Sequence, residues 1–347
     1  MGHNAGPRRT SRLPTSAHPA FRTRDSHDMR LNFINDRILK QARDRFFYHF
    51  IVGVAWLFRL LPRLVGIGLM RVVGRLLFLV ATSLRRRTIT HLTMAFGEEM
   101  PPREIVGLAR RVFLHFSTVL VDILRLPNLT RPALDGLITA QGREYIDQAM
   151  AGGRGVILLT GHFGNWELLG AWAARCGYPL KVVGRPLFDE QIDRLLVAIR
   201  NRAGYTNIAR GKGTREIIRS LRAGEPLGIL IDQDTKVPGV FVNFFGRPTH
   251  TPVGAVQLAM KLGVDIVPAF MYLRPDLTYG IECGPPIVVE RTGNLEEDLF
   301  NTTQRCSDVY ERIIRRFPEQ WVWMHKRWKT RPEEFGAAAV GSKQVFG

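Results

Sequence analysis

The sequence predicts an α/β protein with a mixed central sheet flanked by helices, preceded by an N-terminal apolar helical region that associates with a membrane. Three observations support this architecture. From residue 155 onward, short apolar runs typical of strands alternate with amphipathic runs typical of helices. Glycine follows several of the helical runs, as expected at a helix end. Residues 46–84 form the most apolar long stretch of the chain.

The composition is that of a large and strongly basic globular protein. Its 347 residues are 45% hydrophobic, which suffices for a sizeable core. The net charge of +18 predicts an anionic partner, which could be a nucleic acid, an anionic lipid or an acidic protein. The three cysteines lie far apart and include no CxxC pair, so they predict neither a disulfide framework nor a zinc site and fit a reducing compartment.

Both ends of the chain are predicted to be tails around a long central domain. Residues 1–28 are rich in Arg, Ser, Thr, Pro and His and contain no apolar run. They are expected to form a disordered basic tail rather than a signal peptide, and Met29 is an alternative start. Residues 331–347 are the second tail, and residues 85–330 are the expected α/β domain.

The apolar region over residues 46–84 is predicted to contain two helices separated near Pro62 and Gly66. Its longest uncharged run, residues 46–58, is shorter than the roughly 20 residues that span a bilayer. We interpret the helices as lying in a membrane interface, with arginines that meet lipid phosphates. The alternatives are amphipathic helices packed on the domain and a single tilted span. The arginines in question fall within one half of a helical wheel: Arg59, Arg63, Arg71 and Arg75.

The remaining elements follow from periodicity and end signals. Asn165 and Thr251 are predicted to cap the helices that follow them. The last two predicted strands, 264–272 and 279–289, are expected to pair with each other. Predicted helices span 103–124, 166–175, 189–203, 214–223, 252–262 and 295–317, and the other predicted strands span 156–160, 180–183 and 227–231.

Polar side chains follow three of the predicted strands, at the sheet edge where open α/β proteins bind ligands. His162 and Glu167 follow the first strand, Arg185 the second, and Asp232 and Asp234 the third. The His-x4-Glu spacing allows the turn to fold Glu167 back against the imidazole. A carboxylate on one ring nitrogen leaves the other nitrogen free as a base. The sequence therefore predicts His162 as a general base and Glu167 as its partner.

The residues at this edge favour direct transfer chemistry. No Ser or Cys lies in a G-x-S-x-G nucleophile elbow, so the acceptor hydroxyl deprotonated by His162 is expected to attack an activated acyl carbonyl. Arginines such as Arg185 and backbone N–H groups would hold phosphates and the developing oxyanion. The sequence predicts no metal and no cofactor.

Three other interpretations of the same residues remain open. His162 could be a hydrogen-bonded core histidine, and Asp232 and Asp234 could serve a turn or a helix cap. A metallohydrolase built on these three residues is the least favoured reading, because their spacing matches no known metal set. The last alternative is a non-catalytic basic protein that binds membranes or nucleic acid, although no nucleic-acid motif accompanies the charge.

Five segments together resemble the bacterial lipid A biosynthesis (lauroyl/myristoyl) acyltransferase family, within the wider lysophospholipid acyltransferase-like group. The resemblance covers the chain from about Phe47 to Thr330. The segments are Thr-Gly-His-Phe-Gly-Asn-Trp-Glu at 160–167, Gly-Arg-Pro at 184–186, the helix that ends with Arg200, Asp-Gln-Asp at 232–234 followed by Val-Phe-Val-Asn-Phe-Phe-Gly at 240–246, and Glu-Gln-Trp-Val-Trp-Met-His-Lys-Arg-Trp at 319–328.

The resemblance implies an enzyme of the inner membrane, anchored by its N-terminal region, with the active site facing the cytoplasm. Family members move a fatty acyl chain from acyl-carrier protein, or in some branches acyl-CoA, to a glycolipid hydroxyl. The acceptor is typically a Kdo-bearing lipid A precursor. Related branches acylate phosphoinositide mannosides or other lipids such as lysophospholipids, so the acceptor stays open.

The resemblance also implies roles for individual residues. His162 would be the base and Glu167 its partner, while Arg200 and Asp232 match further functionally implicated positions. With Arg185 and Asp234, these two residues complete the expected substrate-binding set. The basic charge fits the resemblance, because lipid A precursors and acyl-carrier proteins are both anionic.

Overall fold

The structure, a computed structural model, describes residues 1–2, 49–186, 189–211 and 213–335. The chain divides into a short unit, Met1–Ile51, and a large one, Val52–Gly347. Apart from its first two residues, the tail predicted over residues 1–28 lies outside the described residues, as does most of the tail predicted over 331–347.

Within the described residues, seven strands form one mixed sheet, as the sequence predicts. Their bounds are β1 (Ile138–Gln141), β2 (Ile157–Thr160), β3 (Lys181–Gly184), β4 (Thr206–Ala209), β5 (Leu227–Leu230), β8 (Ile266–Leu273) and β9 (Tyr279–Cys283), and a separate antiparallel hairpin contains β6 (Gly239–Phe244) and β7 (Arg247–Pro252). The sheet order is β1-β9-β8-β2-β5-β3-β4. All neighbouring strands are parallel except β8 and β9.

Helices cover both faces of this sheet. Their bounds are α1 (His49–Leu60), α2 (Arg63–Val80), α3 (Thr82–Phe96), α4 (Pro102–Arg125), α5 (Arg131–Asp135), α6 (Arg143–Ala151), α7 (Trp166–Arg175), α8 (Glu190–Ala203), α9 (Thr214–Arg222), α10 (Gly254–Leu262) and α11 (Leu295–Arg316). Side chains of β2 alternate between two cores, as expected for a strand. Ile157 and Leu159 join the core that contains residues of α4, α10 and α11, whereas Leu158 joins the core that contains residues of α6, α7 and α8.

Most predicted elements are present, and the differences have local causes. Helix α7 has the predicted bounds, and Asn165 caps it by accepting a hydrogen bond from the Leu168 N–H at 3.0 Å. The predicted Thr251 cap is wrong, because the hairpin strand β7 runs to Pro252 and α10 begins only at Gly254. Strand β9 ends at Cys283 rather than near residue 289, because two prolines follow shortly after it.

The N-terminal region bends at different places from those predicted. The break at Pro62 is present, but Gly66 lies inside α2. A second break at Ala81 separates α2 from α3, with a bend of 87° between them. Across the described residues, no single helix has both the length and the apolarity to cross a membrane, whereas the bent pair α2–α3 meets both criteria when taken together.

Helix α2 packs on α4 through a narrow face and exposes its wide apolar face. Gly66, Ile67 and Gly74 form the buried side. Glycine at position 74 allows the close approach, because a Cβ there would lie 2.4 Å from Ser117 Oγ on α4. The exposed face carries large apolar side chains: Leu64, Val65, Leu69, Val72, Val73, Leu76, Leu77, Leu79 and Val80.

Two of the arginines expected to meet lipid phosphates instead bind the protein body, so that prediction is wrong for them. Arg63 forms a bidentate ion pair with buried Asp122, with N···O distances of 2.7 and 2.8 Å. Arg59 donates to the Leu124 carbonyl at 3.0 Å. Both contacts lie on α4, which already packs against α2. Arg71 and Arg75 remain exposed on α2.

Candidate active site

The side chain of His162 lies beside Asp232 at the carboxyl edge of the sheet. Strands β2 and β5 are parallel neighbours, with Thr160 opposite Leu230, so the two segments that leave them run side by side. His162 Nδ1 lies 2.9 Å from Asp232 Oδ1, and the His162 backbone N–H donates to Asp232 Oδ2 at 2.8 Å. The carboxylate thus holds both the ring and the backbone of the histidine.

The turn that carries His162 needs its two glycines. Gly164 has φ +56°, and a Cβ there would lie 1.7 Å from the Met271 carbonyl oxygen. At Gly161 a Cβ would lie 3.1 Å from Asp232 Oδ2. The backbone of the C-terminal segment closes over the same turn, because the Val322 N–H donates to the His162 carbonyl at 3.2 Å.

The surroundings of Asp232 favour its ionised form. Burial opposes ionisation of Asp232, but the charge and hydrogen bonds of His162 and a hydrogen bond from Trp321 Nε1 outweigh it, so the pKa of Asp232 lies below its usual value. An ionised carboxylate accepts the Nδ1 proton, which leaves Nε2 as the basic nitrogen. The His162 side chain is 28% exposed, whereas that of Asp232 is fully buried.

The prediction that Glu167 is the partner of His162 is wrong. Glu167 is buried in the first turn of α7 and forms a bidentate ion pair with Arg200 on α8, at 2.5 and 2.9 Å. Tyr205 donates to Glu167 Oε2 at 2.6 Å, and Trp166 Nε1 donates to Oε1 at 3.1 Å. Burial opposes ionisation of Glu167, but Arg200 outweighs it with help from Tyr205 and Trp166, so the pKa of Glu167 is lowered.

Trp166 connects the Glu167 cluster to the His162–Asp232 pair. Its indole nitrogen binds Glu167, and its ring lies edge-on to the His162 ring with a centroid distance of 5.3 Å. Both Glu167 oxygens accept hydrogen bonds from other residues. The contact between this cluster and His162 is therefore made by the Trp166 ring and not by the carboxylate.

The four residues predicted to bind substrate have different surroundings. Arg200 uses its remaining nitrogen for Asn207 Oδ1, at 2.7 Å. Asp234 holds the C-terminal segment, accepting hydrogen bonds from the Thr330 N–H and hydroxyl at 2.7 and 3.0 Å, and it lies 3.3 Å from Nδ1 of buried His250. Arg185 is exposed just beyond β3 and has no ion pair within the part of the chain that the structure describes. Asp232, the fourth, is the partner of His162.

Local sequence patterns point neither to Asp232 as the partner of His162 nor to a role for Tyr205 beside Glu167. The Trp321 indole is fully buried and binds Asp232. One signal is present for Asp232, because it follows a buried strand just as His162 does, but the pairing of those two strands depends on the tertiary fold. Among the described residues, no group of three His, Cys, Asp or Glu side chains is arranged to hold a metal ion.

Comparison with known proteins finds a matching family model and several relatives. The family model described as "Bacterial lipid A biosynthesis acyltransferase" matches residues 38–330. A phosphatidylinositol mannoside acyltransferase of Mycolicibacterium smegmatis is 24% identical over 233 residues, which cover 66% of this chain and 75% of the relative. A lipid A biosynthesis lauroyltransferase of Escherichia coli is 32% identical over 200 residues, which cover 55% of this chain and 62% of the relative.

Proposed function

Since the chain belongs to the bacterial lipid A biosynthesis acyltransferase family, we propose that it transfers a fatty acyl chain from a thioester to a hydroxyl of an anionic glycolipid, with His162 as general base. The observation that carries the mechanism is the hydrogen bond of 2.9 Å between His162 Nδ1 and Asp232. It orients the ring, and it favours the imidazolium that forms when Nε2 takes the hydroxyl proton.

The reaction then runs without an acyl-enzyme. The acceptor oxygen, deprotonated by Nε2, attacks the thioester carbonyl, and a C–O bond forms. The C–S bond breaks as the tetrahedral intermediate collapses, and the imidazolium returns the proton to the leaving thiolate. Cys283 and Cys306 are poor candidates for a competing nucleophile, because burial raises the pKa of each to about 12. Burial also raises the pKa of Cys176.

The donor and the acceptor are both expected to be anionic. Acyl-carrier protein and acyl-CoA present the acyl group on the same phosphopantetheine thioester, and the net charge of +18 favours the approach of either. Arg185 is the candidate phosphate ligand, because it is exposed at the same sheet edge as His162. For the acceptor we propose a lipid A precursor, with phosphoinositide mannosides as the second candidate because several relatives carry that name.

The proposed location is the inner membrane, with the site facing the cytoplasm. The exposed apolar face of α2 supports contact with lipid, because so many outward leucines and valines on one helix are unusual for a soluble surface. A bilayer position would also bring the site to the surface where its lipid acceptor lies.

The test uses the purified full chain, with acyl-carrier protein and CoA thioesters as donors and a panel of both acceptor classes, read by mass spectrometry. His162→Ala and Asp232→Asn are expected to lower kcat by about 10²- to 10⁴-fold, the usual contribution of general acid–base catalysis. The matched control is Asp308→Asn, since Asp308 is on α11 and accepts a hydrogen bond from Gln304. It should retain wild-type activity.

Two results would contradict the mechanism: near-normal turnover by His162→Ala, or a covalent acyl adduct on the protein in an intact-mass measurement. The acceptor is decided separately by the lipids that accumulate when the gene is deleted. Accumulation of an under-acylated phosphoinositide mannoside would select the second acceptor class.

A further inference from the structure

Tyr310, on α11, connects the two strands that lead into the His162–Asp232 pair. Its hydroxyl donates to the Thr160 carbonyl at 2.5 Å and accepts from the Ile231 N–H at 3.3 Å. Thr160 and Leu230 are the last paired residues of β2 and β5. The Tyr310 hydroxyl therefore lies between β2 and β5 at the point where their backbone hydrogen bonding ends.

The space around this hydroxyl leaves little room for adjustment. Tyr310 is 2% exposed. A Cβ on Gly161 would lie 2.8 Å from Tyr310 Cε1 and 3.1 Å from Asp232 Oδ2, so ring, turn and carboxylate are already in contact. Burial and the nearby Asp232 raise the pKa of Tyr310 well above its usual value, which keeps the hydroxyl protonated as a donor. A shift of either strand end would move the histidine or the aspartate directly.

Trp321 fixes the other side of the carboxylate. Its Nε1–H donates to Asp232 Oδ2 at 2.9 Å, the oxygen that also accepts the His162 backbone N–H. The indole is fully buried, and the backbone of Trp321 forms an isolated antiparallel β-bridge with Phe163. Neighbouring Gln320 accepts the Gly164 N–H at 2.9 Å. The segment that bears Trp321 thus acts as a short extra strand along the catalytic turn.

We propose that Tyr310 and Trp321 are positioning residues for the acyl transfer. Tyr310 holds the ends of β2 and β5 at the separation that the His162–Asp232 hydrogen bond requires. Trp321 holds the Asp232 carboxylate in the orientation in which it accepts the hydrogen bond from the imidazole. The inference rests on the proposed function of the pair. Both residues act through Asp232 and His162 rather than on the reacting atoms.

Tyr310→Phe removes one oxygen atom and keeps the ring. Because a misplacement of about 1 Å at a reacting group can cost ~10²-fold in rate, we expect kcat to fall at least tenfold, with KM within about twofold of wild type. The matched control is Tyr178→Phe. The Tyr178 hydroxyl also binds side chains, Arg143 and Asp147, but it lies before β3, at the opposite end of the strands from His162.

The background variant Asp232→Asn separates positioning from a general structural role. If Tyr310 acts through the pair, adding Tyr310→Phe to Asp232→Asn should lower kcat by less than about twofold, because interacting sites are not additive. A purely structural loss would lower kcat by the same factor in both backgrounds. Trp321→Phe removes the indole N–H and should lower kcat as Tyr310→Phe does. If Tyr310→Phe does not fold, Trp321→Phe tests the positioning role in its place.

The two proposals fail in different ways. Wild-type kcat in Tyr310→Phe and in Trp321→Phe, together with a strongly impaired Asp232→Asn, would overturn the positioning role and leave the base assignment intact. Wild-type kcat in Asp232→Asn would overturn the catalytic pair itself. Equal losses in Tyr310→Phe and Tyr178→Phe would also overturn the inference, since they would reveal a general effect of lost tyrosine hydroxyls.

Discussion

Two buried carboxylates lie near the candidate base, and each has a different partner. Asp232 meets His162, whose charge appears only when it holds a proton, whereas Glu167 meets Arg200, whose charge is permanent. A buried carboxylate with a permanent cationic partner stays ionised, because the partner lowers its pKa. A buried carboxylate beside an imidazole instead favours proton uptake, which is the property a general base needs.

We predict that the Glu167–Arg200 pair is strongly coupled. Glu167→Gln leaves a buried guanidinium without its counter-charge, and breaking a buried pair in this way typically costs about 3–5 kcal/mol. A double-mutant cycle with Arg200→Gln, measured by urea unfolding, should give a coupling energy of about 1–3 kcal/mol.

The matched control for that cycle is an ion pair on α8, the helix that carries Arg200. Glu190 and Arg194 form an exposed i,i+4 ion pair on α8, and exposed pairs of this type contribute only about 0.3–0.5 kcal/mol. If the two cycles give equal coupling energies, Glu167 and Arg200 do not form the buried structural pair described here.

At the scale of elements, α2 has an unusual division of its surface. Its small residues and Arg63 face α4, and its leucines and valines face outward. In a soluble helix the apolar stripe would face the core. The helix is therefore attached to the body by close backbone packing and an ion pair, which leaves the apolar side chains available for lipid.

We predict opposite effects of the same substitution at two glycines of α2. Gly74→Ala places a Cβ 2.4 Å from Ser117 Oγ and 3.1 Å from the Phe113 carbonyl, so the helices must separate; overpacking of this kind costs about 1–3 kcal/mol. Gly68→Ala meets nothing within 4 Å and should stabilise the helix by about 0.5–1 kcal/mol. Thermal unfolding of the two variants in one detergent checks this prediction. A Gly74→Ala protein as stable as Gly68→Ala would contradict the close packing of α2 on α4.

At the scale of the whole molecule, a large positive charge and an exposed apolar helix face occur in one chain. Electrostatic attraction acts at long range and is screened by salt. Burial of apolar surface acts only on contact and is not screened by salt. Their combination is suited to an anionic bilayer. A protein that binds nucleic acid through charge alone would not need the outward leucines.

We predict that binding to anionic phospholipid vesicles has a salt-sensitive and a salt-resistant part. Cosedimentation should fall severalfold between about 50 and 500 mM NaCl, and the remainder should be lost in the double variant Leu69→Ser/Leu76→Ser, because both leucines are exposed on α2. Leu295→Ser, at an equally exposed leucine at the start of α11, is the control. Unchanged vesicle binding by the double variant, or preferred binding to DNA, would contradict the membrane assignment.

Much of the architecture could be predicted from local sequence, because it depends on local physical chemistry. The apolar runs of β2 and β5, the Asn165 cap and the start of α7 follow from side-chain periodicity and backbone hydrogen bonding within a few residues. Strand β4 was missed because its four residues, Thr206–Ala209, carry little apolar signal and become a strand by pairing with β3.

By itself, the sequence determined that a histidine at a strand end would be the candidate base and that a carboxylate would orient it. Only the tertiary structure decided which carboxylate. Glu167 is close in sequence, but the first turn of α7 places it against Arg200, whereas Asp232 is 70 residues away and arrives because β5 pairs with β2. Hydrogen bonds between strands join residues at any separation along the chain, so a local pattern cannot reveal such a partner.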